Sequence, residues 1–218
     1  ALRGICDAAI IGGNSMRTDA DYCMHCMDEE IQKDRVAAGL SEIPLNIVMT
    51  LDATDVPMEH NLLKNTDVPC MMVTSPKGLE YLEKNFKGTY LVAKETDSEE
   101  VIKEKLDKAG QGVLPVLVTG KGGFPDSTVT MKILKKIGIE RLLIESPGYG
   151  HYLVKQKMMD EFFLNLSAVY IGGGDTMTLG KADKGFLAEA HPHTQILSIH
   201  MYNDYFAYFR YKFNYDYV

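Results

Sequence analysis

Five short stretches of the chain carry residues able to do chemistry. "DAAIIGGNSMRTD" (7–19) is an apolar run climbing into Gly12 and Gly13, then Asn14, Ser15, Arg17 and Asp19. "PCMMVTSPK" (69–77) ends on Thr74, Ser75 and Lys77. "LPVLVTGKGG" (114–123) ends on Gly120, Lys121, Gly122 and Gly123. "ERLLIESPGYG" (140–150) ends on Glu145, Ser146, Pro147, Gly148, Tyr149 and Gly150. The fifth is "DYCMHCM" (21–27). An apolar run that turns abruptly glycine-rich and polar is how a buried strand ends at a ligand. Glycine lets backbone approach the ligand closely, and hydroxyls adapt as donors or acceptors. Two of these ends open helices, whose free N–H groups and positive dipole end hold phosphate. Gly148 and Gly150 would let a pyrophosphate approach the backbone. Ser75 and Lys77 supply a hydroxyl and a cation for a further phosphate, such as the 2′-phosphate of NADP.

Each residue has a plainer reading. Gly12 and Gly13 also suit a turn. Ser15, Asp19 and Ser75 also suit caps. "TGKGG" also suits a flexible turn. A lone acid after a strand, such as Glu145, is ordinarily a surface or capping residue. In "CMHC", Cys23 and Cys26 flank His25. Structural zinc wants four ligands, and no second C-x-x-C pair exists. A thioredoxin-like pair would open a helix after a strand. The plain reading is two thiols and two methionines lining an apolar pocket, with no metal; metal or redox use is the alternative.

The elements that must position these residues read as a largely parallel α/β sheet. Strands are expected in "DAAIIGG", "PLNIVMT" (44–50), "PCMMVTS" (69–75), "TYLVAK" (89–94), "LPVLVTG" (114–120) and "ERLLIES" (140–146). Their continuous apolarity predicts burial on both faces. Helices are expected between them. "SPKGLEYLEKNFKG" has Ser75 as N-cap, Pro76 at the first position and Gly88 as stop. "DSEEVIKEKLDKAG" has an acidic first turn and a basic last one. "DSTVTMKILKKIG" ends on Gly138. The pattern is strand, helix, strand, helix. In an open sheet of this kind ligands bind beyond the carboxyl ends of the strands, so the four strand-end clusters are expected along one edge. Further on, "DEFFLNLSAVYIGGGD" reads as a strand running into a triple glycine. "HTQILSIHMYNDYFAYFRYKFNYDYV" reads as an antiparallel hairpin turning at Asn203-Asp204. The alternation of aromatics with Arg210 and Lys212 predicts one packed and one wet face.

The bulk numbers exclude several classes. The formal net charge is −7, and no Lys/Arg run offers a nucleic-acid or anionic-membrane surface. No apolar stretch approaches the roughly 18 residues of a spanning helix. The chain of 218 residues, 45% of them hydrophobic, is read as one domain over 1–218. Four cysteines at this length do not make a disulfide scaffold, and a reducing, cytoplasmic compartment is expected. The opening "ALRGICDAAIIGG" reads as a helix end feeding a strand, so residues are expected to precede Ala1.

"RGICDAAIIGGNSMRTD" and "IERLLIESPGYGHYLVKQKMMDEFFLNLSAVYIGGGD" together resemble the reductase domain of the riboflavin-biosynthesis deaminase/reductase family, in the same order over nearly the whole chain. The resemblance implies a dihydrofolate-reductase-like fold: a three-layer αβα sandwich with a mostly parallel central sheet and a C-terminal antiparallel hairpin. It implies a homodimeric, NADPH-dependent reductase that converts the ribose of a ribosylaminopyrimidine phosphate to a ribitol chain. Related readings are a reductase of a pterin or another compound on the same fold, and a nucleotide-binding protein without catalysis. By the resemblance, the cofactor contacts are Gly13, Ser15, Asp19, Ser75 and the loop of Pro147, Gly148, Tyr149 and Gly150, with Glu145 facing the substrate. The family's Ser-x-Asp-Gly substrate strand is expected before Ala1, ahead of this region. The chain departs from the family in two places. It reads Glu-Ser-Pro at 145–147 in place of Glu-Gly-Gly. It carries Cys26 near the place of a substrate-phosphate arginine.

Overall fold

The computed structural model describes residues 1–172, 179–180 and 184–216. Two compact units emerge, Ala1–Ser146 and Pro147–Val218.

In the first unit all six expected apolar runs form strands: β1 (Ala8–Ile11), β2 (Leu45–Met49), β3 (Cys70–Thr74), β4 (Thr89–Lys94), β5 (Val113–Val118) and β6 (Leu142–Ile144). They make one parallel sheet in the order β4-β5-β3-β2-β1-β6. Every residue of β1 and β3 is buried, which is why these strands are apolar without alternation. Eight-residue and longer helices lie between strands: α3 (Glu29–Ala37), α5 (Pro76–Asn85), α6 (Glu99–Leu106) and α7 (Ser127–Lys136); α1 (Leu2–Ile5), α2 (Gly13–Thr18) and α4 (Asn61–Lys64) are short. Caps account for the starts. Asp28, Ser75, Ser98 and Asp126 each accept a first-turn backbone N–H. α5 stops at Phe86, two residues before the expected Gly88. α2 and α3 were not expected: "GNSMRT" of α2 lacks helical periodicity, whereas α3 carries an Asp28 cap, an acidic first turn and Arg35 in its last turn.

The second unit begins with α8 (Pro147–Lys155). A three-stranded antiparallel sheet follows, in the order β7-β9-β8: β7 (Glu161–Ser167), β8 (His193–Asn203) and β9 (Phe206–Asn214). The expected hairpin is present, joining β8 to β9 through Asp204 and Tyr205. The Asn203 side chain accepts the Tyr205 N–H at 2.9 Å, which moves the turn one residue on from the expected pair. β7 ends at Ser167 rather than running into the triple glycine, whose Gly173 and Gly174 lie outside the described residues. On β9, Phe209, Tyr211 and Phe213 are half-buried while Tyr208, Arg210 and Lys212 are exposed, the alternation the sequence predicted. Arg210 meets Glu161 of the neighbouring strand in a bidentate pair at 2.7 and 2.6 Å.

Candidate functional site

The strand order places two switch points in the first unit. β1 leads inward to β2 while β6 lies on its other side. β3 leads out to β4 at the sheet edge, while β5 leads back across to β6. At such points the loops beyond the carboxyl ends diverge and leave a crevice.

At the β1/β6 point stand Gly12, Gly13, Ser15, Glu145 and Ser146, brought together as the sequence expected. Among the described residues, a Cβ on Gly12 would meet the Ser146 hydroxyl at 3.3 Å, a tight contact that this side chain would relieve by moving a few tenths of an ångström, so the loops after β1 and β6 approach closely there. Gly13 has a different reason. A Cβ on it would lie 2.4 Å from the Asp55 carbonyl oxygen, so glycine lets the loop after β2 close onto α2. Arg17 donates to the same carbonyl, and the Thr50 hydroxyl donates to the Asp55 carboxylate at 2.5 Å. Ser15 is half-buried in α2. Asp19 is exposed just after α2, and its carboxylate accepts the Asp21 N–H at 2.9 Å, the turn-making role.

Glu145 follows β6, with its N–H on the Ile10 carbonyl at 2.9 Å. Its carboxylate is held by Arg3 of α1 through Nε at 2.7 Å and Nη2 at 2.5 Å, and the Tyr22 hydroxyl donates to it at 3.4 Å. The bond to Glu145 holds the Arg3 guanidinium still more firmly protonated than usual. Burial, then the Glu145 charge, pushes the Tyr22 phenol up, so it remains a hydroxyl at neutral pH.

At the β3/β5 point Ser75 is fully buried, and its hydroxyl accepts the Gly78 N–H at 3.2 Å. Lys77 donates its N–H to the Gly122 carbonyl at 2.9 Å, and its ammonium lies 3.6 Å from Asp52. The Thr54 hydroxyl, and after it Lys77, hold the Asp52 carboxyl below its usual range. Gly120 has φ +75°, and a Cβ on it would lie 2.2 Å from the Phe124 carbonyl oxygen, so this loop turns tightly on glycine. Pro147, Gly148, Tyr149 and Gly150 form the first turn of α8, in the second unit.

The "CMHC" stretch corrects one expectation. Met24 and Cys26 are buried and Cys23 packs against the core beside a cleft of mixed lining that includes Asp21, Leu62 and Val68, but Met27 is exposed, so three of the four side chains meet apolar surroundings and the fourth does not. Burial pushes the Cys23 thiol up. No three His, Cys, Asp or Glu side chains among the described residues converge as a metal site. That cleft, and a second one beside Leu63, Phe86 and Thr89, lie at the amino ends of the strands, away from the switch points. No helix among the described residues is long and apolar enough to cross a membrane.

Arg3, Tyr22, Asp52 and Asp55 went unnoticed in the sequence. Asp52 and Asp55 had a signal, because "TLDATD" follows the carboxyl end of β2 as the four noted clusters follow theirs. Arg3 had none, since its partner lies 142 residues away.

No protein-family model matches the chain, and no curated protein does. Solved structures do. A pyrimidine reductase-like protein from Corynebacterium diphtheriae is 17% identical with a TM-score of 0.63, covering 99% of this chain and 79% of that one. RibD from Acinetobacter baumannii is 15% identical with a TM-score of 0.58, over 98% of this chain and 48% of that one. The Thermotoga maritima diaminohydroxyphosphoribosylaminopyrimidine deaminase/5-amino-6-(5-phosphoribosylamino)uracil reductase is 12% identical with a TM-score of 0.55, over 98% and 47%. The chain thus spans about half the length of these last two proteins. It has the α/β fold of these RibD-like reductases.

Proposed function

We propose that the chain is an NADPH-dependent reductase acting on the ribose of a ribosylaminopyrimidine phosphate, as the names of the neighbours in fold suggest. The observation that carries this reading is the β1/β6 switch point, where the paired strands end side by side on Gly12 and Ser15 of one loop and on Glu145 and Ser146 of the other, with Gly12 facing the Ser146 hydroxyl. Glycine backbone and a hydroxyl there suit a dinucleotide, and a fixed carboxylate suits a sugar. The donor set suits a nicotinamide cofactor: a glycine opposed only by the small Ser146 hydroxyl among the described residues, further small hydroxyls and a neighbouring acid. Such a cofactor supplies the hydride; the chain supplies orientation and electrostatics. Gly12 and Ser15 would line the cofactor's side, and Glu145 would accept a hydrogen bond from a sugar hydroxyl.

One observation favours a second reading. Asp52 sits 3.6 Å from Lys77, where a 2′-phosphate would dock. A carboxylate there suits the free 2′-hydroxyl of NADH. The buried Ser75 hydroxyl, already used as a cap, offers a phosphate little. A homodimer belongs to the same proposal. Ten of the 11 residues of β8 are exposed, among them Ile196, Ile199, Met201 and Tyr202, an apolar strand that a second copy would cover. The four free cysteines suit a reducing cytoplasm.

The test is turnover. Purified protein with 5-amino-6-(5-phosphoribosylamino)uracil should consume NADPH and form the ribitylamino product in equal amounts. Consumption with a dihydropterin alone would move the substrate assignment, and none with NADPH or NADH would defeat the reductase reading.

A further inference from the structure

Glu145 is not a free carboxylate waiting for substrate. Arg3 grips both its oxygens, Nε to Oε1 at 2.7 Å and Nη2 to Oε2 at 2.5 Å, from an element 142 residues earlier in the chain. A guanidinium in that forked geometry fixes the plane of the carboxylate as well as its charge. The fork stands on a rigid base. Arg35, 1% exposed, donates to the Arg3 carbonyl at 3.1 Å and the Cys6 carbonyl at 2.5 Å, satisfying backbone acceptors at the end of α1. The third member is fixed in the same way. Asn46, fully buried in β2, accepts the Met24 N–H at 2.7 Å and donates to the Met24 carbonyl at 3.0 Å, holding the segment that carries Tyr22. The Tyr22 hydroxyl then lies 3.4 Å from Glu145 and 3.5 Å from Arg3.

We propose that Arg3 is the positioning residue for Glu145, with Tyr22 beside it, and that the assembled trio selects an uncharged hydrogen-bond donor, such as a sugar hydroxyl or amine N–H, as the substrate group at this position. The selection follows from the chemistry. A carboxylate already neutralised by a guanidinium gains little from a cationic ligand. Oε2 also accepts from the Tyr22 hydroxyl, at 3.4 Å, whereas Oε1 takes only Arg3 Nε among the described residues and keeps a lone pair for a neutral donor. A loose surface pair would not do this, because mobile side chains spend their geometry on entropy. Buried Arg35 and Asn46 fix the backbone that carries Arg3 and Tyr22, and the fork to both carboxylate oxygens fixes the Arg3 side chain. This inference rests on the reductase reading above for the identity of the substrate.

The test combines binding and turnover on the intact chain. Substrate affinity is measured calorimetrically with 5-amino-6-(5-phosphoribosylamino)uracil, and NADPH affinity by fluorescence. Arg3→Ala should lower kcat/KM roughly 100-fold, while NADPH affinity stays within about twofold. Added guanidinium ion, well below denaturing concentration, should restore part of the loss, and methylammonium should not. Arg3→Lys should fall between, and Tyr22→Phe should lose roughly 5-fold. If Arg3→Ala fails to fold, the Lys and Phe variants decide. Unchanged substrate affinity and turnover in them, or guanidinium failing to rescue a folded Arg3→Ala protein, overturns the proposal. If the wild type binds the pyrimidine without turning it over, the reductase reading fails, and Arg3 stands or falls on whether its loss weakens that binding. If the wild type neither binds nor turns it over, both fall.

Discussion

The two sheets of this chain treat apolar surface in opposite ways. In the parallel sheet β1 and β3 are buried at every position, and β2 and β5 at all but their first residue. In the antiparallel sheet β8 is exposed at every position but one. Helices of the same unit explain the first case: α5 packs on β3 and β5, and α6 on β4. Chemistry divides along the same line. The strand ends of the closed sheet carry the crevices, glycines and paired acids, whereas the open sheet carries aromatics and aliphatics suited to a partner. A sheet covered by its own helices can hold a site rigidly, and the exposed sheet is where the proposed dimer would form.

The largest effect expected from breaking this contrast is in the closed unit. Gly13→Val puts a branched side chain where a Cβ would already lie 2.4 Å from the Asp55 carbonyl. It should destabilise the protein by about 3 kcal/mol, read as a lower urea midpoint with unchanged slope. A shift under about 0.5 kcal/mol would show that the loop after β2 yields freely. In the open unit a charge should act differently. Tyr202→Glu should weaken a dimer by roughly 100-fold and leave the melting temperature of dilute monomer unchanged. Light scattering would read a mass falling toward 24.3 kDa from about twice that. A wild-type mass already near 24.3 kDa would sink the dimer.

The closed sheet was legible and much of its edge was not. Continuous apolar runs between Gly, Pro and Ser mark buried parallel strands, so β1 to β6 were found at nearly their true bounds. The hairpin was found because two strand-like runs flank Asn203-Asp204, and the alternation of aromatics with Arg210 and Lys212 gave its packed and wet faces. The carboxyl-end rule points to Gly12, Ser15 and Glu145 at the ends of β1 and β6, and "TLDATD" carries the same signal for Asp52 and Asp55 after β2. What escaped was pairing at long range. Nothing near Arg3 announces Glu145, and nothing near Tyr22 announces Asn46, because such contacts are decided by strand order. Short α2 escaped because its six residues, "GNSMRT", lack helical periodicity.

A smaller effect separates the units by pH. All four cysteines precede Pro147. Burial pushes the Cys6 thiol from 9.0 up to about 11. The folded state therefore holds that proton more tightly than the unfolded state does. The resulting stability is complete below about pH 9 and is lost as pH rises through about 11. Urea midpoints should fall across that window, and Cys6→Ala should flatten the fall; an equal slope in both proteins would contradict the assignment. The smallest effect is at Ser75. Its hydroxyl caps α5, so Ser75→Ala should cost about 1 kcal/mol and change NADPH affinity less than about twofold. A large loss of affinity would return Ser75 to the cofactor site.

The central claim, that a nicotinamide cofactor lies along the carboxyl edge of the parallel sheet at β1/β6, is tested most directly by NADPH affinity in Gly12→Val. Gly12 has φ −104°, so valine strains no backbone, and the nearest obstacle to a Cβ is the Ser146 hydroxyl at 3.3 Å. The account predicts micromolar binding by the wild type, a loss of roughly 100-fold in the variant, and a melting temperature within a few degrees of wild type. Equal affinity in both folded proteins would contradict it.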